Sequence, residues 1–151
     1  MQKILLTGFQ PFGTYKYNPT ADCAADFDGK TFNGREVISA VLPCTYYEPF
    51  KVISNFLDVE KPYAVINMGL SSSVLGVRFE TKFRNIMNGK YPDNNGDEPK
   101  NEFIVNGIEE FQTLDPRLSE YYSSLLFREG IPTEVSQDAE GQQPRHCVCR
   151  V

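Results

Sequence analysis

The chain has 151 residues, of which 40% are apolar and 13% aromatic, enough for one domain with a real core and too few for a second full domain. Its net charge of −5, with no Lys/Arg cluster longer than two, argues against a nucleic-acid partner. No apolar run approaches membrane-helix length, and Gly8 to Gly13 interrupts the first hydrophobic run too early for a signal peptide, so neither a membrane segment nor a leader is expected. The cysteines Cys23, Cys44, Cys147 and Cys149 are too sparse for a disulfide framework and read as thiols, with the cytoplasm as the default address.

In chain order, Lys3-Ile4-Leu5-Leu6-Thr7 predicts a strand that delivers Phe9 and Phe12 into the loop Gly8-Phe9-Gln10-Pro11-Phe12-Gly13. Asn18-Pro19 is a helix cap with proline at the first helical position, and the helix runs to Asp28-Gly29. Glu36 to Leu42 is β-branched and apolar, a second strand ended by Pro43. From Pro49 to Val59, Phe50, Ile53, Phe56 and Leu57 share one helical face, and Lys61-Pro62 closes the segment. Tyr63 to Leu70 is a continuous apolar run, expected to be a central strand buried on both faces. The βαβαβ alternation predicts an α/β domain, three-layer αβα with a mostly parallel central sheet.

Residues 71–114 break this pattern. Val74 to Phe83 and Glu102 to Val105 predict two short strands around a polar, Pro/Gly-rich excursion from Asn88 to Pro99. Asp115-Pro116 caps a further helix with the apolar stripe Leu118, Tyr121, Tyr122 and Leu125, stopped at Gly130, and Ile131 to Ser136 begins another strand.

The loop Gly8 to Gly13 with Asn18-Pro19-Thr20 resembles the amino terminus of the type I pyroglutamyl peptidases, or pyrrolidone carboxyl peptidases. Val41-Leu42-Pro43, Met68-Gly69-Leu70, Phe79-Glu80 with Asn85, and Pro92-Asp93-Asn94-x-Gly96 agree in order, so that the resemblance runs from residue 2 to about residue 139. It implies a cytoplasmic thiol peptidase, an omega peptidase using a Cys-His pair with an acidic third member, that hydrolyses an N-terminal pyroglutamyl group from peptides. Carried over, the acidic member is Glu80 and the rings that grip the lactam are Phe9 and Phe12. A flat, uncharged five-membered lactam suits aromatic rings on its faces and a few polar groups at its edge. The partners are peptides with an N-terminal pyroglutamate; no cofactor, metal, nucleic acid or membrane is implied, and homo-oligomerisation is left open.

Without the flanking glycines and the resemblance, Phe9 and Phe12 read as core residues in preference to a pocket, and Glu80 as a solvated carboxylate. Cys23, on an alanine-rich helix face, and Cys44, after a strand, read as buried structural thiols without a catalytic role.

The family places its nucleophile just after a segment such as Ser136-Gln137-Asp138-Ala139, and here Pro144 occupies that position. Cys147 and Cys149 come later, and the family's histidine lies on a further strand, whereas His146 is this chain's only histidine. Adjacent in sequence, His146 and Cys147 make a poor dyad at one carbonyl. Residues 140–151 are thus expected to be a divergent, disordered tail on an incomplete domain spanning 1–139, out of register with the ancestral gene as after a frameshift. The 151-residue polypeptide is expected to have little or no turnover, a non-catalytic lactam-binding pseudoenzyme being the alternative. His146, Cys147 and Cys149 could hold zinc or copper only with a second ligand pair, which the sequence lacks.

Overall fold

The computed structural model describes residues 1–71, 74–89 and 91–136. They fall into two compact units, one built from Met1–Leu70 and Pro92–Asp97, the other from the described residues of 71–91 and 98–136.

The first unit is a parallel sheet with helices. Strand β1 (Gln2–Phe9) is followed by helix α1 (Pro19–Phe27), a short strand β2 (Thr31–Phe32), β3 (Arg35–Leu42), helix α2 (Glu48–Glu60) and β4 (Ala64–Asn67). The sheet order is β2-β3-β1-β4. β1 pairs in parallel with β3 along its full length, from Gln2↔Arg35 to Phe9↔Leu42, and with β4 from Ile4↔Ala64 to Thr7↔Asn67. The two crossovers run in opposite lateral directions, so right-handed connections place α1 and α2 on opposite faces. Leu5, Leu42, Val37, Ala24 and Ile53 are buried and form the core.

Local chemistry explains these elements. Asn18, in extended conformation, caps α1 by accepting from the Thr20 amide, with Pro19 opening the helix. Gly29 follows α1 at a φ of +73°, a left-handed position that favours glycine. α2 has no side-chain cap; Pro49 sets its first turn, and Lys61 ends it in the left-handed region. Of the expected α2 stripe, Ile53 is buried, whereas Phe50 and Leu57 stay exposed.

β4 departs from expectation. It is four residues long and forms an edge of the four-stranded sheet among the described residues, with Ile66 50% exposed. An apolar run alone does not distinguish a two-sided central strand from one paired only to β1.

In the second unit, β5 (Val77–Glu80) pairs in parallel with β10 (Thr133–Ser136), β6 (Lys82–Arg84) is antiparallel to β9 (Phe111–Thr113), and β7 (Ile86–Met87) is antiparallel to β8 (Glu102–Phe103). The strand expected from Val74 to Phe83 is therefore two strands, divided at Thr81. Buried Thr81 gives both its amide and its hydroxyl to the Ser136 carbonyl at 2.9 Å, while its own carbonyl accepts from the Leu114 amide at 2.7 Å. That exchange of partners hands the chain from β10 to β9. The second expected strand is likewise shorter, Glu102–Phe103 rather than Glu102 to Val105.

Helix α3 (Pro116–Arg128) begins at the expected Asp115 cap, which accepts from the Arg117 amide. Its apolar stripe is not its buried face. Leu118, Tyr121, Tyr122 and Leu125 are exposed, whereas Ser119 is buried and the Ser123 hydroxyl donates to Thr133 Oγ1 of β10 at 2.7 Å. Small polar side chains allow α3 to approach β10 closely, and that contact sets its orientation.

Candidate functional site

The aromatic loop at the carboxyl end of β1 is held by polar contacts. Gly8 faces the first turn of α1 so closely that a Cβ there would lie 2.0 Å from the Thr20 carbonyl oxygen. The Phe9 amide donates to Thr20 Oγ1 at 3.0 Å, and that hydroxyl donates to Asn18 Oδ1 at 2.8 Å. Buried Asn18 uses its Nδ2 to donate to the Gln10 carbonyl at 3.2 Å, so one side chain caps the helix and fixes the loop. The Gln10 amide continues the β1–β3 ladder to the Leu42 carbonyl at 2.9 Å.

The segment from Pro92 to Asp97 closes the loop from the other side. The Asn94 side-chain amide donates to the Pro11 carbonyl at 3.1 Å, and its backbone amide donates to the Cys44 carbonyl at 3.1 Å. Asp93 accepts from the amides of Tyr46, Asn95 and Asp97 at 2.7, 2.8 and 2.9 Å. The Cys44 thiol is buried and donates to the Gln10 carbonyl at 3.3 Å. Cys44 is thus the structural thiol expected; Cys23 is only half-buried, contrary to expectation, because its position on α1 reaches the solvent side. Neither Cys23 nor Cys44 is disulfide-bonded.

The two rings differ within this frame. Phe9 ends β1, whose last five residues are all buried, and is 7% exposed. Phe12, beyond Pro11, is half-buried, and its ring centroid lies 5.4 Å from that of Tyr15 across the turn at Gly13. Phe12 is the less buried of the two rings.

Glu80 belongs to the second unit, at the carboxyl end of β5, half-buried and in register with Ser136 of β10. Thr81 beside it is locked to Ser136 as described. Asn85, the other member of the Glu80 block, is buried and organises the loop from Ile104 to Glu110. Its Nδ2 donates to the Val105 and Ile108 carbonyls at 2.8 and 3.1 Å, and its Oδ1 accepts from the Val105 amide at 2.9 Å. Arg84 pairs with Glu110 at 2.6 Å in the same region. Among the described residues no three His, Cys, Asp or Glu side chains cluster as a metal site would require, and no helix is long and apolar enough to cross a membrane. Pro144, His146, Cys147 and Cys149 lie outside the described residues, as does the tail expected from residue 140.

The roles of Thr20 and Asp93 were not visible in the sequence beyond their place in motifs. For Asp93, the repeat of acidic and amide residues through Asp97 is the signal of a side chain gathering backbone amides.

A family model of pyroglutamyl peptidases matches residues 2–147. The chain belongs to the pyroglutamyl peptidase family. Among its relatives, the pyrrolidone-carboxylate peptidase of Vibrio campbellii is 32% identical over 140 residues, covering 92% of this chain and 65% of the relative. That of Pyrococcus furiosus is 32% identical over 145 residues, covering 91% and 65%. A solved structure of a mutant pyrrolidone carboxyl peptidase (E192A) from Pyrococcus furiosus superposes with a TM-score of 0.86 at 31% identity, over 91% of this chain and 66% of that one. The expected three-layer α/β fold class with a mostly parallel sheet is thereby borne out. The chain spans 65% of the length of these curated pyrrolidone-carboxylate peptidases.

Proposed function

We propose that this member of the pyroglutamyl peptidase family carries the lactam-recognition part of a cysteine-type site, with Phe12 and Phe9 as the aromatic wall and Glu80 as the acidic member of the catalytic set. The reaction of such a site is removal of an N-terminal pyroglutamyl group from a peptide. A thiolate attacks the pyroglutamyl carbonyl, the peptide amine leaves with a proton from a histidine, and water then cleaves the thioester. The observation that carries the reading is the aromatic loop: Asn18, Thr20, Cys44 and Asn94 fix its backbone while Phe12 stays only half-buried. A rigid apolar wall beside a strand end suits a flat neutral ring.

Within the 151-residue polypeptide, Pro144 stands where the nucleophile is expected, and proline has no group that can attack. We therefore assign this polypeptide little or no turnover, with capture of pyroglutamyl groups as its retained activity. The family membership and the reduced Cys23 and Cys44 support a cytoplasmic setting. Incubation with a pyroglutamyl-coupled fluorogenic amide tests the assignment. Thiol-dependent release at a rate ordinary for enzymes, about 10 per second, refutes the loss of turnover. Calorimetry with the neutral pyroglutamide tests the pocket, where absence of binding refutes the lactam reading.

A further inference from the structure

We propose that Asn67 is a specificity-determining residue of this site, its side-chain N–H donating to the ring carbonyl of the pyroglutamyl lactam. The inference rests on the lactam reading above and adds a residue to it.

Thr7 is fully buried in β1, and its hydroxyl donates to Asn67 Oδ1 at 2.7 Å. In this arrangement the hydroxyl meets the acceptor end of the amide, which leaves Nδ2, with its two protons, directed away from Thr7. The Thr7 carbonyl also accepts from the Met68 amide at 3.0 Å, which holds the backbone on the far side of Asn67. Asn67 is therefore an oriented donor, and its side chain is exposed.

Its position matters as much as its orientation. Asn67 is the last residue of β4 and the register partner of Thr7, so the two side chains share one face of the sheet. Phe9, two residues beyond Thr7 on β1, points to that same face, while Gly8 faces α1. The donor thus stands at the carboxyl edge beside the strand that feeds the aromatic loop. Crevices outside the carboxyl ends of adjacent parallel strands are where ligands of α/β sheets bind.

The chemistry selects the ligand group. An uncharged amide donor matches an uncharged carbonyl, and the chain's net charge of −5 disfavours anions in general. A pyroglutamyl ring differs from its saturated carbocycle at its edge, by one carbonyl and one N–H. A site that donates to that carbonyl rejects rings lacking it, because the covered donor is then left without a partner.

The test uses the 151-residue protein, two neutral probes, pyroglutamide and cyclopentanecarboxamide, and titration followed by 15N–1H NMR. Pyroglutamide is expected to shift the Asn67 side-chain amide resonances, and cyclopentanecarboxamide to leave them in place. Asn67→Asp keeps an oxygen for Thr7 and loses the donor; it is expected to weaken pyroglutamide about tenfold, the worth of one hydrogen bond closed off from water, and to leave the carbocycle unchanged. Asn67→Ala should do the same, and unaltered dispersion of the other backbone peaks reports that the fold is intact. Pyroglutamide binding that moves neither the Asn67 amide signals nor its affinity in both variants overturns the role of Asn67 and leaves the lactam reading standing. Absence of pyroglutamide binding by the wild-type protein overturns the lactam reading, and this inference with it.

Discussion

Replacing Gly8 by alanine adds one methyl group at the tightest point of the first unit. The new Cβ would lie 2.0 Å from the Thr20 carbonyl oxygen, 2.4 Å from its carbon and 2.9 Å from the Ala21 nitrogen. Carbon contacts are ordinary at about 3.5 Å, so β1 and the first turn of α1 must separate by roughly 1.5 Å. All three obstructing atoms are backbone, and no rotamer change relieves them. Separation on that scale stretches the 3.0 Å bond from the Phe9 amide to Thr20 beyond hydrogen-bonding range and pulls on the Asn18 cap. Overpacking costs about 1–3 kcal/mol and a buried donor left unsatisfied about 1–3 kcal/mol, so Gly8→Ala is expected to cost about 3–5 kcal/mol. Gly29→Ala is the control: φ is +73° and nothing lies within 4 Å of the added atom, so only left-handed strain of about 1 kcal/mol is expected. Urea unfolding at 25 °C, followed by far-UV circular dichroism, gives both values. A Gly8→Ala cost within 1 kcal/mol of that of Gly29→Ala would refute steric contact as the reason for this glycine.

Asn18→Ala removes the α1 cap and the anchor of the Gln10 carbonyl together, with an expected loss of about 2–3 kcal/mol in the same urea experiment, more than a cap alone gives. Asn85→Ala frees the loop from Ile104 to Glu110, and hydrogen exchange at the Val105 amide should accelerate by at least about tenfold, the equivalent of one lost bond. Asp93→Ala leaves three amides without their acceptor, so limited proteolysis should cut first between Pro92 and Asp97, where the wild-type chain resists. Arg117 beside Asp115 lowers the carboxyl pKa, mainly through its side-chain hydrogen bond. Because the folded-state value is the lower one, the stabilisation is present above the ordinary carboxylate range and is lost as pH falls through the lowered value. Asp115→Asn should therefore flatten the acid limb of thermal melts below about pH 4 and leave the slope near pH 7 unchanged.

Elements whose signals are local were legible in the sequence. The α1 and α3 caps, Asn18-Pro19 and Asp115-Pro116, each combine a side-chain acceptor with proline in the first turn, and both helices start there. β3 stands between a turn and Pro43, and it fills that interval. What failed depends on partners that sequence periodicity cannot name. Val74 to Phe83 reads as one strand, yet Thr81 exchanges β10 for β9 within it. The α3 stripe reads as a buried face, yet Ser119 and Ser123 make the approach to β10 because small side chains allow a closer helix. Phe9 closes a strand buried on both faces, whereas Phe12 lies beyond Pro11 in the loop; the shared motif made them look equivalent.

The residues that carry the family resemblance divide by what they touch. Asn18, Thr20, Asn85, Asp93 and Asn94 all bond to backbone amides or carbonyls, fixing loops that no regular element would hold. Side chains of this kind tolerate little substitution, because each satisfies at least one backbone group, and Asn18, Asn85 and Asp93 two or more, which their loss leaves without a partner. Such residues secure the fold and the shape of the aromatic loop whether or not a thiol is present. Family membership can therefore be plain from this chain on these loop-fixing residues alone. The aromatic loop is held by Asn18, Thr20, Cys44 and Asn94, all within the residues this structure describes, and these contacts set its shape.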